Sequence, residues 1–240
     1  MRRCLLVAVW FGLALLFVRP SMPQAASDAD RDSPASLQAA YDRAKESKDW
    51  ASALAAAQKL VGLRPSAENL RMLAEAQIFS GANADALATT ERALEAVEKE
   101  KPADGQPDTA WKDLKSKILL TRGNAFLRLR RNADAIEAYN QAAALASNPG
   151  LSYFNICATT YNVGDMQASV AACRKAVQAD PTRANAWFVL GSVLFATSTI
   201  DDKANVVITD ETRQALNKYL ELAPDGPHAE DVKAMLKMSK

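Results

Sequence analysis

From residue 34 to residue 237, apolar residues return every three or four positions, the spacing of one helical face. Glycine, proline or short polar runs separate these segments. The pattern predicts helices at 35–46 and 50–62, 67–79 and 83–99, 110–129 and 132–146, 150–162 and 166–179, and 184–198 and 211–222, with a last helix at 227–237. Gly164 allows a tight turn, and Asp165 after it is a natural helix start. Pro181 cannot continue a helix and disfavours helix in the residue before it, so it closes a helical pair. The chain reads as all-α.

The paired segments are copies of one another. Gly123, Cys157 and Gly191 are spaced by 34 and 34 residues. One copy carries Leu119, Gly123, Ala135, Tyr139 and Ala142. The next carries Tyr153, Ile156, Cys157, Ser169, Cys173, Ala176 and Pro181, and a third opens with Trp187, Leu190, Gly191 and Leu194. Upstream, Leu70, Leu73, Ala74, Ala86, Thr90 and Ala93 fit the same template, as do Tyr41, Ala53, Ala57 and Pro65. A fixed period of this length marks stacked repeats, because one helical hairpin cannot bury its apolar face alone. Small residues such as Gly123 and Ala135 belong where two backbones come closest, with Phe126 and Tyr139 filling the space on either side.

The segment Trp187-x-x-Leu190-Gly191, the run Ala135-Ile-Glu-Ala-Tyr139 and the stop Asp180-Pro181 resemble the tetratricopeptide repeat (TPR) family, over residues 34 to 237. The resemblance implies a right-handed superhelix: an α-α solenoid of about five helix-turn-helix repeats plus a C-terminal capping helix, filling residues 34–240. It also implies a non-enzymatic protein–protein interaction scaffold or adaptor. Two insertions break the period. Residues 98–108, rich in proline and charge, move the phase from 34 to 49 and are expected to lengthen the flanking helices. Residues 197–210 enlarge a turn: Thr199-Ile200-Asp201-Asp202 reads as loop, and Val206-Val207-Ile208 as an apolar patch folding back on the solenoid edge, with a binding loop as the alternative.

The N-terminus reads as a targeting segment. Met1-Arg2-Arg3 is a basic start, and Cys4 to Val18 is an unbroken apolar run ending at Arg19-Pro20. The run is short for a membrane span but suits the apolar region of a secretory signal. Gln24-Ala25-Ala26-Ser27 offers a cleavage point, so residues 1–26 are expected to be a signal peptide and 27–33 a linker. An uncleaved membrane anchor at residues 4–18 is the alternative. The expected location is periplasmic or secreted.

Composition narrows the function further. There are 29 Lys+Arg against 28 Asp+Glu, a formal net charge of +1, which becomes −2 without Arg2, Arg3 and Arg19. That balance argues against nucleic acid or anionic membrane as the main partner. Alanine is about a fifth of the chain and glycine numbers only 9, a mix suited to close-packed helices. With one His and three Cys, no metal-ligand spacing appears; no phosphate loop and no nucleophile–base arrangement appears either. His228, just after Pro227, reads as a solvated helix-start residue. No catalytic residue, cofactor or metal is expected.

Cys157 and Cys173 are 16 residues apart on the two facing helices of one repeat. Cys157 takes the small contact position and Cys173 the large aromatic position opposite. A disulfide stapling the hairpin and a pair of buried thiols both fit this placement.

In the TPR family the first helix of each repeat lines the concave face. Aligned positions there are Leu120 and Leu127, Phe154 and Tyr161, and Phe188 and Phe195, each pair seven residues apart and so on one helical face. Asn124, Arg128, Asn155 and Asn162 interleave with them. Asn124 and Asn155 resemble the two asparagines that hold peptide backbone in chaperone-binding TPR clamps. The basic clamp positions fall on Leu120, Asn185 and Val189, so an acidic C-terminal tail is not the expected ligand. The expected ligand is an extended, partly apolar peptide of a partner protein, held along repeats three to five. The alternative is a structural assembly factor of an envelope complex, using its convex face or the 197–210 insertion. Packing of these aromatics between repeats or under the cap would leave them no part in binding.

Overall fold

The computed structural model describes residues 33–104, 106, 108–202 and 206–239. The signal expected at residues 1–26 lies outside them. Five helical hairpins follow one another: α1 (Pro34–Glu46) with α2 (Trp50–Leu63), α3 (Ala67–Phe79) with α4 (Asn83–Lys99), α5 (Thr109–Arg128) with α6 (Asn132–Leu145), α7 (Gly150–Asn162) with α8 (Met166–Ala179), and α9 (Ala184–Ala196) with α10 (Asp210–Leu222). Helix α11 (Ala229–Met238) packs on α10. Every helix lies within two residues of the span predicted from apolar spacing.

Local chemistry starts and stops these helices. Ser33, Asp49, Ser66, Asp165 and Thr209 each accept a bond from the backbone N–H three residues on, satisfying a donor that the first helical turn leaves orphaned. The first helix of hairpins one to four ends in the same way. Lys48, Gly81, Arg130 and Gly164 all have left-handed φ, between 58° and 85°. The next residue then donates its N–H to a carbonyl five residues back: Asp49 to Ala44, Ala82 to Gln77, Arg131 to Phe126 and Asp165 to Thr160. This shared helix stop turns the chain into the second helix of each hairpin.

Each hairpin packs internally, and its second helix packs on the first helix of the next. First helices also meet directly, α3 with α5 and α7 with α9, while among the described residues no comparable packing joins second helices. A stack tight along one row and open along the other curves toward the tight row, so the first helices form the concave side. The contact between helices of a hairpin centres on residues 16 apart: Gly123 on Tyr139, and Cys157 on Cys173. A disulfide joins the cysteines, with Cα atoms 4.9 Å apart and both side chains fully buried.

Around the first insertion, α4 runs to 17 residues and α5 to 20. Trp111 at the start of α5 donates its indole N–H to the Val97 carbonyl at 2.6 Å, and Lys115 pairs with Glu98. Glu100 accepts the Ala67 N–H at 3.0 Å, which ties the insertion back to the start of α3. The second insertion differs from the loop expected there. Thr199–Ile200 (β1) and Val206–Val207 (β2) form an antiparallel pair, Thr199 opposite Val207 and Ile200 opposite Val206. Three of the four are β-branched Ile or Val and the fourth is Thr, which suits extended backbone. Val206 also bridges Ser239 and Ile208 is buried, so the pair rests on the end of the solenoid.

Candidate functional site

The concave row carries a cavity of about 580 Å³ where the C-terminal ends of α3, α5 and α7 converge. Its lining is Ile78 and Phe79 from α3, Asn124, Leu127 and Arg128 from α5, Arg130 and Asn132 around the following turn, and Asn162 and Val163 at the end of α7. The three helix ends meet because the same helix stop recurs in each hairpin, so the last turns of successive first helices come into line.

The apolar surface is held firmly. Ile78 is buried, and Leu127 packs against the core around the disulfide hairpin. Phe79 is 46% exposed yet fixed by stacking on Trp50, with ring centroids 4.1 Å apart and planes 10° from parallel. Asn124 accepts the Tyr139 hydroxyl at 2.8 Å, which fixes its amide and leaves the amide N–H groups to donate outward. Burial of Tyr139 pushes its hydroxyl above the ordinary tyrosine range, so it stays a donor. Arg128 and Arg130 are exposed, and neither guanidinium has an acidic partner among the described residues. Their neighbours Arg131 and Arg122 do: Asp134 at 2.7 Å and Glu91 at 3.7 Å.

Of the residues singled out by sequence, Asn124, Leu127, Arg128 and Asn162 line this cavity. Leu120 and Phe154 pack against the core of hairpins three and four. Asn155 is half-buried and Tyr161 exposed, and neither lines the cavity. Phe188 and Phe195 pack into the cap cluster with Leu216, Tyr219 and Val232. The Phe188 ring stacks on His228, centroids 3.8 Å apart and planes 4° from parallel. His228 does start α11, as its N-cap, but it is half-buried against Phe188 instead of solvated, and its backbone N–H donates to the Tyr219 hydroxyl at 3.0 Å. Ile78, Phe79, Arg130, Asn132 and Val163 also line the cavity, although they lie outside the mid-helix positions seven apart that the repeat pattern marks. Their one signal was position: each sits at or beside the left-handed turn.

A second polar cluster occupies the concave row of hairpins one and two. Glu75 accepts from the Tyr41 hydroxyl and Arg71, both at 3.0 Å, and pairs with Lys45 at 2.7 Å. Arg71 also forks onto Glu68 at 2.7 and 2.9 Å. Burial alone would raise Glu75, but Lys45 and Arg71 together outweigh it and hold the carboxyl below its usual range. Burial, reinforced by the Glu75 charge, pushes Tyr41 above the tyrosine range. This cluster is internally satisfied. Among the described residues no group of three or more His, Cys, Asp or Glu is placed to hold a metal, and no described helix is long and apolar enough to cross a membrane.

Residues 116–149 match the tetratricopeptide repeat family model. No curated protein matches the sequence. Among solved structures, the fold is similar to YrrB, described as a TPR protein with an unusual peptide-binding site, at 16% identity and a TM-score of 0.51, covering 86% of this chain and 95% of that one. It is similar to PilW, described as a type IV pilus biogenesis factor, at 11% identity and 0.65, covering 85% and 84%. It is also similar to a thermophilic TPR protein of Thermus thermophilus, at 13% identity and 0.57, covering 85% and 100%. The stacked hairpins form an all-α solenoid of the TPR type, and residues 116–149 of it match the tetratricopeptide repeat itself. That fold supports the role of a protein-interaction scaffold, a module that is typically non-enzymatic.

Proposed function

We propose that this chain is a non-enzymatic adaptor of the bacterial periplasm or cell envelope that holds an extended segment of a partner protein in the cavity between α3, α5 and α7. The observation that carries the reading is the pairing within that cavity of an apolar surface, Ile78, Phe79, Leu127 and Val163, with three asparagines, Asn124, Asn132 and Asn162. Asparagine amides bond peptide backbone whatever its sequence, and the apolar surface takes a side chain. The seat spans hairpins two to four, one hairpin earlier than the sequence suggested, because the cap occupies Phe188 and Phe195. The likeness to YrrB supports a peptide ligand. The basic start, the apolar run at residues 4–18 and the buried Cys157–Cys173 disulfide support an oxidising compartment outside the cytoplasm.

Site-specific photo-crosslinking in cells tests this. A crosslinker at Leu127 or Asn162 is expected to trap a protein partner, while one at Gln178 on the second-helix side does not. A second reading, docking onto a larger assembly through the 199–207 hairpin, has one observation in its favour: Ile200 is 72% exposed. Crosslinks from Ile200 and none from Leu127 would select it. Fractionation with N-terminal sequencing of the recovered chain tests the compartment and the cleavage point.

A further inference from the structure

Building on that reading, we infer that the segment held in the α3/α5/α7 cavity carries an internal Asp or Glu next to an apolar residue, and that Arg128 and Arg130 take its carboxylate. The two guanidiniums border the same cavity from the last residue of α5 and from the turn two residues on. Arg131 and Arg122, close by, are neutralised by Asp134 and Glu91. Arg128 and Arg130 have no acidic partner among the described residues. Arg130 also stands at the left-handed turn position, φ 59°, that glycine fills in hairpins two and four. The cavity therefore presents two uncompensated, fork-shaped donors beside apolar surface, and the chemistry complementary to that pair is a carboxylate beside an aliphatic or aromatic side chain. The basic positions of a terminal-carboxylate clamp carry Leu120, Asn185 and Val189 instead. The charge here lies at the hairpin-turn edge of a cavity bounded by Phe79 on one side and Val163 on the other. A segment crossing it continues past the arginines in both directions, so the acid is a side chain and not a chain end.

The test is selection from a random heptapeptide library displayed between Gly-Ser flanks, against the purified chain with its disulfide intact. An enriched sequence is then made as an acetylated, amidated, fluorescent peptide and titrated by polarisation. Enriched peptides are expected to place Asp or Glu beside Leu, Ile, Phe or Tyr. Replacing the acid by its amide is expected to weaken binding about tenfold, the scale of one charge-assisted pair. The double variant Arg128→Gln with Arg130→Gln is expected to bind acid and amide peptides alike, with its circular dichroism unchanged. Phe79→Ala is expected to weaken both peptides equally. Enriched peptides without an excess of acids, equal binding of the acid peptide to the double variant, or binding that needs a free C-terminal carboxylate each overturn this inference and leave the groove reading intact. No enrichment at all, or enriched peptides indifferent to Phe79→Ala and Leu127→Asp, overturns both.

Discussion

Gly123 lies against the ring of Tyr139, and a Cβ built on it would come within 2.6 Å of Cδ1, closer than side chains pack. Tyr139 is fully buried and its hydroxyl is committed to Asn124, so the ring cannot yield. Gly123→Ala is therefore expected to destabilise the chain by about 1–2 kcal/mol in urea unfolding, because overpacking outweighs the helix preference for alanine. Gly191→Ala should cost less, since the Cδ2 methyl of Leu216 that it meets, although buried, can turn about its side-chain bonds and makes no hydrogen bond, whereas the Tyr139 ring is tied at its hydroxyl. Equal costs at the two glycines would show that the backbone, and not the ring, sets the spacing.

In the next hairpin the same contact is covalent. Cys157 and Cys173 are both fully buried and joined. Reduction is expected to lower stability by at most ~3 kcal/mol, the chain-entropy scale for a loop of this size. A thiol reagent should label no cysteine of the described region in denaturant without reductant, and two with it. Labelling of both without reductant would show them to be buried thiols.

The concave end at hairpins one and two is held by charge. Glu75 has a side chain 17% exposed and three partners, Tyr41, Arg71 and Lys45. Its carboxyl sits below the usual range when folded, so its stabilisation is present above the ordinary glutamate pKa and is lost as pH falls through the lowered folded value. Glu75→Gln should cost about 2 kcal/mol at neutral pH and flatten the acid limb of the stability profile. Tyr41 and Tyr139 are shifted upward, so their contribution is full below the ordinary tyrosine pKa and fades above it. In alkaline titration both should stay protonated past the point where free tyrosine ionises.

The cap rests on Phe188, stacked on His228 with centroids 3.8 Å apart and tilted by 51° against Tyr219 at 5.5 Å. Phe188→Ala should cost about 2–3 kcal/mol and speed amide exchange in α11. His228→Ala, which removes the stack alone, should cost about 1 kcal/mol. Neither change should alter binding in the α3/α5/α7 cavity. Weakened peptide binding at unchanged stability would return Phe188 to the groove.

Local order fixed much of this molecule. Apolar spacing set the helices, the recurrence of Gly123, Cys157 and Gly191 set the hairpins and their stacking, and Asp165 with Gly164 marked a start and a stop, because each depends on residues within one or two helical turns. The pairing of Thr199–Ile200 with Val206–Val207 was not legible, since strands of two residues have no period to read. Asn124, Leu127, Arg128 and Asn162 were visible as an exposed stripe on two helices. What the sequence could not decide was which members of that stripe another part of the chain would cover. Phe154, Phe188 and Phe195 obey the same seven-residue rule as Leu127, yet only the packed structure assigns the last two to the cap. It also sets Phe79 and Val163, 84 residues apart in the chain, on opposite sides of one cavity. Helix formation is a property of neighbours along the chain, whereas coverage and free charge are sums over neighbours in space, and only the folded stack supplies those.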